Sequence, residues 1–270
     1  MRSGIAVLVL AIGLALGGQV SAEGIQINGD HCGFDTNYDV QAKPDGIAFV
    51  RADGRPARVF IHDGQLQVDG HSVAVSAADG ARLRQYEENV RTLLPEMAGV
   101  AQEAMGIAFD ALTTVAATLG GDADDRDALV KRLNRTHREA LIKLDAGIGS
   151  DHWNEHGFED AIETQVESAA NELASSVSAG VLASLVTGKA GELEARADSL
   201  DASIDKEMKI RSGKLEARAK MLCPRLTELE QLQTQFGFRL ADGSQLQLLT
   251  REHNGKHHQD ADDGQQVTQR

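Results

Sequence analysis

Positive charge and aromatic rings are both scarce in this chain. Twenty-seven Lys and Arg stand against 41 Asp and Glu, a formal net charge of −14, and aromatic residues make up 4% of the sequence, with one Trp and two Tyr. A nucleic-acid surface needs a cationic field and rings on which bases stack, and an anionic lipid surface needs the same cationic field. Both are poor partners here, and no nucleic acid is expected. The chain also lacks a P-loop, a dinucleotide Gly pattern, a G-x-S-x-G elbow and a C-x-x-C pair. Ser175-Ser176-Val177-Ser178 therefore has no nucleophile context. Carboxylates are numerous but spread along helix faces rather than paired in a pocket. No cofactor is implied. Beyond the first 22 residues no long apolar run stands out. Residues 173–186 come closest, but Ser175, Ser176, Ser178 and Ser184 interrupt them, so no membrane span is expected.

What is present begins with an export signal. Arg2 supplies the positive start, residues 5–16 an apolar core, and Val20-Ser21-Ala22 a small-residue cleavage site. Cleavage after Ala22 leaves Glu23, not Cys, at the new N-terminus, so no lipid anchor is implied and a periplasmic location is expected. Removing Arg2 makes the mature charge −15. In an oxidising compartment the two cysteines, Cys32 and Cys223, are candidates for one structural disulfide, with free thiols or a redox pair as the alternative.

Residues 23–78 read as a β-meander. Asp-Gly pairs, which tolerate the positive φ of tight turns, recur at Asp45-Gly46, Asp53-Gly54, Asp63-Gly64, Asp69-Gly70 and Asp79-Gly80. Between them Val59 and Ile61 alternate with Arg58, Phe60 and His62, the pattern of an antiparallel sheet with one wet face. Residues 24–28 are a further strand candidate. From residue 79 to 236 the apolar period becomes helical. The first helix carries Leu83, Tyr86, Val90 and on to Leu119, with a kink or break expected at Pro95 and an end at Gly120-Gly121. The second turns Leu129, Leu133, Ala140, Leu141 and Leu144 inward. A loop is expected over 146–157, then a third helix over 158–187 with Leu173, Val177, Val181 and Leu185 in its stripe. The longest amphipathic stretch, 191–236, is expected to organise the chain, with a kink or restart at Cys223-Pro224. Residues 237–250 suggest a hairpin, and 251–270 a polar, disordered tail. The expected fold is α+β: a small N-terminal antiparallel meander packed as one domain against a bundle or hairpin of long amphipathic helices and locked by Cys32–Cys223.

Several of these features occur together in one family. They are a signal peptide, a Cys soon after it, a turn-rich β segment, the run Arg91-Thr92-Leu93-Leu94-Pro95 continuing through Ile107-Ala108-Phe109-Asp110-Ala111-Leu112, and a second Cys followed by a leucine-containing acidic run at 226–229. In their order and spacing the chain resembles the YggN-like family of proteobacterial periplasmic proteins of unknown function, over roughly residues 30–235. The resemblance implies a location and an architecture. It implies no activity, substrate or catalytic residue.

One stretch carries an enzyme pattern. His152-Trp153-Asn154-Glu155-His156 fits H-x-x-E-H, in which two histidines on one helical face bind Zn²⁺ beside a Glu general base. Gly147, Gly149 and Gly157 bracket it, so the plainer reading is a polar loop with Trp153 docked on the bundle. His253, His257 and His258 in the tail are further metal candidates, and solvated tail residues on the plainer reading. The composite expectation is a non-catalytic interaction, scaffold or chaperone-like protein with a protein partner in the cell envelope. A zinc hydrolase using His152, Glu155 and His156, or a small-ligand binder, is the rival. Oligomeric state stays open, since an amphipathic stripe can be buried within one chain or between two.

Overall fold

The computed structural model describes residues 32–188 and 190–251. The signal segment, the strand candidate at 24–28 and His253, His257 and His258 lie outside these residues. Chain order is β1 (Phe34–Asp35), β2 (Asp39–Lys43), β3 (Gly46–Val50), β4 (Arg58–His62), β5 (Gln65–Val68), β6 (His71–Val73), α1 (Ala77–Leu119), α2 (Ala123–Gly147), β7 (His152–Trp153), α3 (Glu155–Val186), α4 (Ala190–Lys220), α5 (Leu222–Thr234) and β8 (Thr250–Arg251).

Turn chemistry builds the sheet. Asp63-Gly64 and Asp69-Gly70 both take positive φ at both residues (44° and 77°, 49° and 82°), the two-residue turn whose twist matches that of the strands it joins. The result is an antiparallel sheet in the order β6-β5-β4-β3-β2-β7. Alternation puts Val59 and Ile61 in the core and leaves Arg58 and His62 in water. The sheet is one strand wider than the meander: β7, in a segment expected to be loop, pairs Trp153 with Val40 and His152 with Gln41. A two-residue strand is invisible to periodicity and exists only because the edge of β2 is there to pair with.

The core face of the sheet (Val40, Ile47, Phe49, Val59, Ile61, Leu66) meets Leu83, Tyr86 and Val90 of α1. Three of the long helices have their starts fixed by a side chain. Ser76 accepts a hydrogen bond from the Asp79 amide, Asp122 from that of Asp125, and Asn154 from that of Gly157. No break follows Pro95: α1 runs unbroken for 43 residues. Proline removes one backbone bond, but Leu93, Leu94 and Ala98 on either side are buried, and their packing outweighs the loss. The restart at Cys223 is real, since α4 ends at Lys220 and α5 begins at Leu222.

The organising helix is α1, not the 191–236 stretch. α1 buries 17 residues and touches the sheet and every other long helix. In α4 no described side chain is fully buried; Leu215 and Ala219 are half-buried against the core. Apolar period alone cannot tell a central helix from a peripheral one. In α3, Leu173 and Val177 pack inward as expected, but Leu185 is exposed.

Of the hairpin expected over 237–250 only the turn forms: the Leu240 amide donates to the Ser244 carbonyl and the Gly243 amide to the Leu240 carbonyl around Asp242-Gly243, and no strand ladder flanks it. Residues 236–249 run as an irregular strap whose Phe236, Phe238, Leu246, Leu248 and Leu249 are buried. Without ladder partners the strap's polar groups need others. Gln233 on α5 supplies them, accepting from the Leu248 and Leu249 amides and donating to the Leu249 carbonyl. Asp79, at the start of α1, accepts from the Gly237 amide at 2.9 Å. β8 then pairs with β1. The Cys32–Cys223 disulfide is formed, closing 191 residues and tying the segment before β1 to the start of α5.

Candidate interaction surface

α4 and α5 run antiparallel to α1; α5 buries Leu222, Leu229 and Leu232, and a ladder of ion pairs runs beside this apolar contact. Arg211 pairs with Asp110 at 2.7 Å, Arg218 with Glu103, and Arg225 with Glu96 at 3.0 Å. On both sides the residues stand seven apart, two helical turns, so each acid meets the next Arg in register. Arg225 also donates to the Thr92 hydroxyl. Gly99 makes room for the ladder: a Cβ there would sit 3.3 Å from a terminal nitrogen of Arg218. Every member is at least partly exposed, so each pair contributes no more than about 1 kcal/mol. The outer face of α4, including Arg196, Glu207, Lys209 and Lys214, is open to solvent with both signs mixed.

The ladder escaped the sequence reading although both halves of it are there. Glu96, Glu103 and Asp110 share one spacing and Arg211, Arg218 and Arg225 the same. The signal has meaning only once the two segments are known to lie antiparallel.

At the opposite end, β7 carries His152 to a cleft of about 470 Å³ with Asp39, Gln41, Lys43 and Asp151 among its walls. Its Nδ1 lies 2.8 Å from Asp151 Oδ1. Burial works to lower the His152 pKa, but the hydrogen bond to Asp151 and the Asp145 carbonyl outweigh it, and the net shift is upward. The helical zinc geometry is not formed. His152 belongs to a strand, Asn154 caps the helix, and Glu155 and His156 occupy the first turn of α3, so the two histidines do not share a helical face. The side chains of Glu155 and His156 lie outside the described residues. Among those that are described, no three His, Cys, Asp or Glu side chains converge as metal ligands. Trp153 is buried against the core, as the plainer reading had it.

A second histidine was not singled out by its sequence. His137 of α2 stacks on Phe109 of α1 with ring centroids 4.8 Å apart. Burial lowers its pKa, helped by Arg138 and opposed by Asp110. In the sheet region Glu87 is the corresponding hub. It accepts from the Asp63 amide at 2.9 Å and from Arg91 at 2.8 Å, pinning the β4–β5 turn to α1.

Sheet, bundle, strap and disulfide together define a disulfide-tied α+β protein whose largest open surfaces are helical. The chain belongs to the family described as protein of unknown function (DUF2884), whose model matches residues 32–249. That match begins at Cys32 and ends with the last buried residue of the strap. No curated protein and no solved structure matches the chain.

Proposed function

We propose that this is an exported interaction protein of the cell envelope, scaffold-like or chaperone-like and without catalytic activity of its own, which works through its helical surfaces. The observation that supports it best is α4, whose last turns meet α1 through the wet pairs Arg211–Asp110 and Arg218–Glu103 while its described outer residues stay open to solvent. The disulfide fits an oxidising compartment, in keeping with export by cleavage after Ala22 and with kinship to the YggN-like periplasmic proteins of proteobacteria.

The test is in-cell photo-crosslinking from Arg196 and Lys209 with mass spectrometry of the adducts. One dominant envelope protein is the expected result and supports a scaffold. A broad set of unfolded clients selects the chaperone form. Absence of protein adducts sinks the reading, as does hydrolysis of a peptide or ester by the purified chain that Glu155→Gln abolishes.

A further inference from the structure

Between Glu172 and Lys189 the sequence holds no charged residue. In α3 the 23 residues Thr164–Val186 are long and apolar enough to cross a membrane by length and composition, contrary to the expectation drawn from their serines, yet only 22% of that apolar window is buried. Leu173 and Val177 face the bundle. Gly180 lies against the α1–α2 turn, so close that a Cβ would stand 2.6 Å from the Gly121 amide nitrogen. Past that contact α3 continues for six residues to Val186, about 9 Å of helix. There Leu182, Leu185 and Val186 are 64%, 60% and 88% exposed, and no residue from 182 to 188 is buried.

Three hydroxyls of this segment turn inward to its own backbone. Ser175 donates to the Asn171 carbonyl, Ser178 to Ala174 and Thr187 to Ala183, at 2.8–3.0 Å. In water such bonds add little to a helix. In hydrocarbon they remove the main cost of carrying a hydroxyl.

We propose that this tip is a membrane-contact element: Leu182, Leu185 and Val186 insert shallowly into the hydrocarbon of a lipid bilayer while the bundle stays in water. The inference goes beyond the interaction reading and does not rest on it, because its partner is lipid rather than protein. Three observations choose the occupant. Among the described residues from 182 to 188 none is buried, so no closed groove of the kind that seats a peptide covers them. Three exposed apolar side chains fall far below the roughly 800 Å² per partner of a stable dimer. A charge-free segment with three of its hydroxyls bonded to its own backbone suits hydrocarbon better than a wet protein rim. The net charge of −14 selects zwitterionic over anionic headgroups.

The experiment floats the full-length oxidised protein with phosphatidylcholine–phosphatidylethanolamine vesicles. Co-flotation that persists at about 1 M salt, where charge is screened, is expected. Replacing Leu182, Leu185 and Val186 together by Asn lowers partitioning about tenfold or more, whereas Ile142→Asn, at a position 72% exposed elsewhere, leaves it unchanged. In a second measurement the Leu185→Trp variant is quenched by brominated lipid, and the buried native Trp153 is not. This decides the matter should the triple variant fail to fold. Absence of flotation, flotation indifferent to the triple substitution, or an unquenched indole at position 185 overturns the proposal. Suppression of the aggregation of a denatured protein by the wild type alone, without flotation, overturns it in favour of an apolar polypeptide client.

Discussion

The sheet end and the far end of this molecule are built by different physics. At the sheet end, α1 is buried on one side by β-strands and on another by α5 and the strap, and Tyr86 touches both Phe49 and Phe236 with ring centroids 6.2 and 6.1 Å away. Polar groups there, such as Asp79, Glu87 and Gln233, are buried and hydrogen-bonded. At the far end α4 is held by exposed ion pairs and the last turns of α3 project with apolar side chains in water. Both ends share the apolar core, with Phe109, Leu119, Leu129 and Leu133 buried at the far end too; what differs is the outer layer, which is β-strands and strap at one end and exposed ion pairs and the tip of α3 at the other.

The comparison can be broken first at the disulfide. Replacing Cys32 and Cys223 by Ser releases a loop of 191 residues, and the chain-entropy model sets the loss at up to about 5 kcal/mol. Denaturant midpoints under oxidising conditions measure it, and a loss below about 1 kcal/mol would mean that the strap and core hold the sheet end unaided. Next, Leu83→Ala in the core is expected to cost about 2–5 kcal/mol, while Leu185→Ala at the tip stays within about 0.5 kcal/mol. Similar costs at the two sites in urea melts would erase the distinction between the ends.

Asp79 is the polar fastening of the strap. The hydrogen bond from the Gly237 amide, with those from Ser76 and Arg82, holds its carboxyl below the ordinary value of 3.8 against the opposing effect of burial. A depressed pKa contributes stability that is present above 3.8 and lost as pH falls through the folded value. Asp79→Ala leaves the Gly237 amide and Arg82 without this acceptor and is expected to cost about 1–3 kcal/mol at neutral pH. The difference from wild type should shrink on acidification. Smaller still is the ladder: Arg211→Ala or Arg218→Ala should cost at most about 1 kcal/mol in dilute buffer and less in high salt. A loss independent of salt would show that the stems of these arginines, not their charges, hold α4.

The two histidines give the smallest and sharpest contrast. His152 has its pKa raised above 6.5, so its contribution is complete below pH 6.5 and fades as pH rises through the folded value. His137 has its pKa lowered, so its contribution is present above 6.5 and fades as pH falls. Melting temperatures across pH 5–8 (roughly the range in which imidazoles titrate) should therefore respond oppositely. His152→Gln flattens the alkaline side of the profile and His137→Gln the acid side. Equal effects of both substitutions on one side would refute the assignment.

Much of the architecture could be read from local pattern. Strands β4 to β6 fall between Asp63-Gly64 and Asp69-Gly70 because those pairs accept positive φ, whereas Asp79-Gly80 went into the first turn of α1; the inward residues of α2 follow the helical period with Leu129, Leu133 and Leu144 all buried. The places that misled are those where neighbours decide. β7 needs the edge of β2, the continuity of α1 through Pro95 needs the core on both sides, and the strap needs Gln233. The H-x-x-E-H pattern has the right letters, but its first histidine was drawn into the sheet before the helix began.

The sequence by itself determined the turns, the periods and the places where helices start, because these depend on residues a few positions apart. It also determined the surplus of negative charge and the charge-free run at 173–188. Only the tertiary structure decided which amphipathic helix became the centre, which acid met which arginine, and which apolar residues stayed outside. Those outcomes depend on contacts between segments far apart in the chain, such as Arg211 with Asp110 or Gly180 with Gly121, and a local apolar period does not record which partner it will meet.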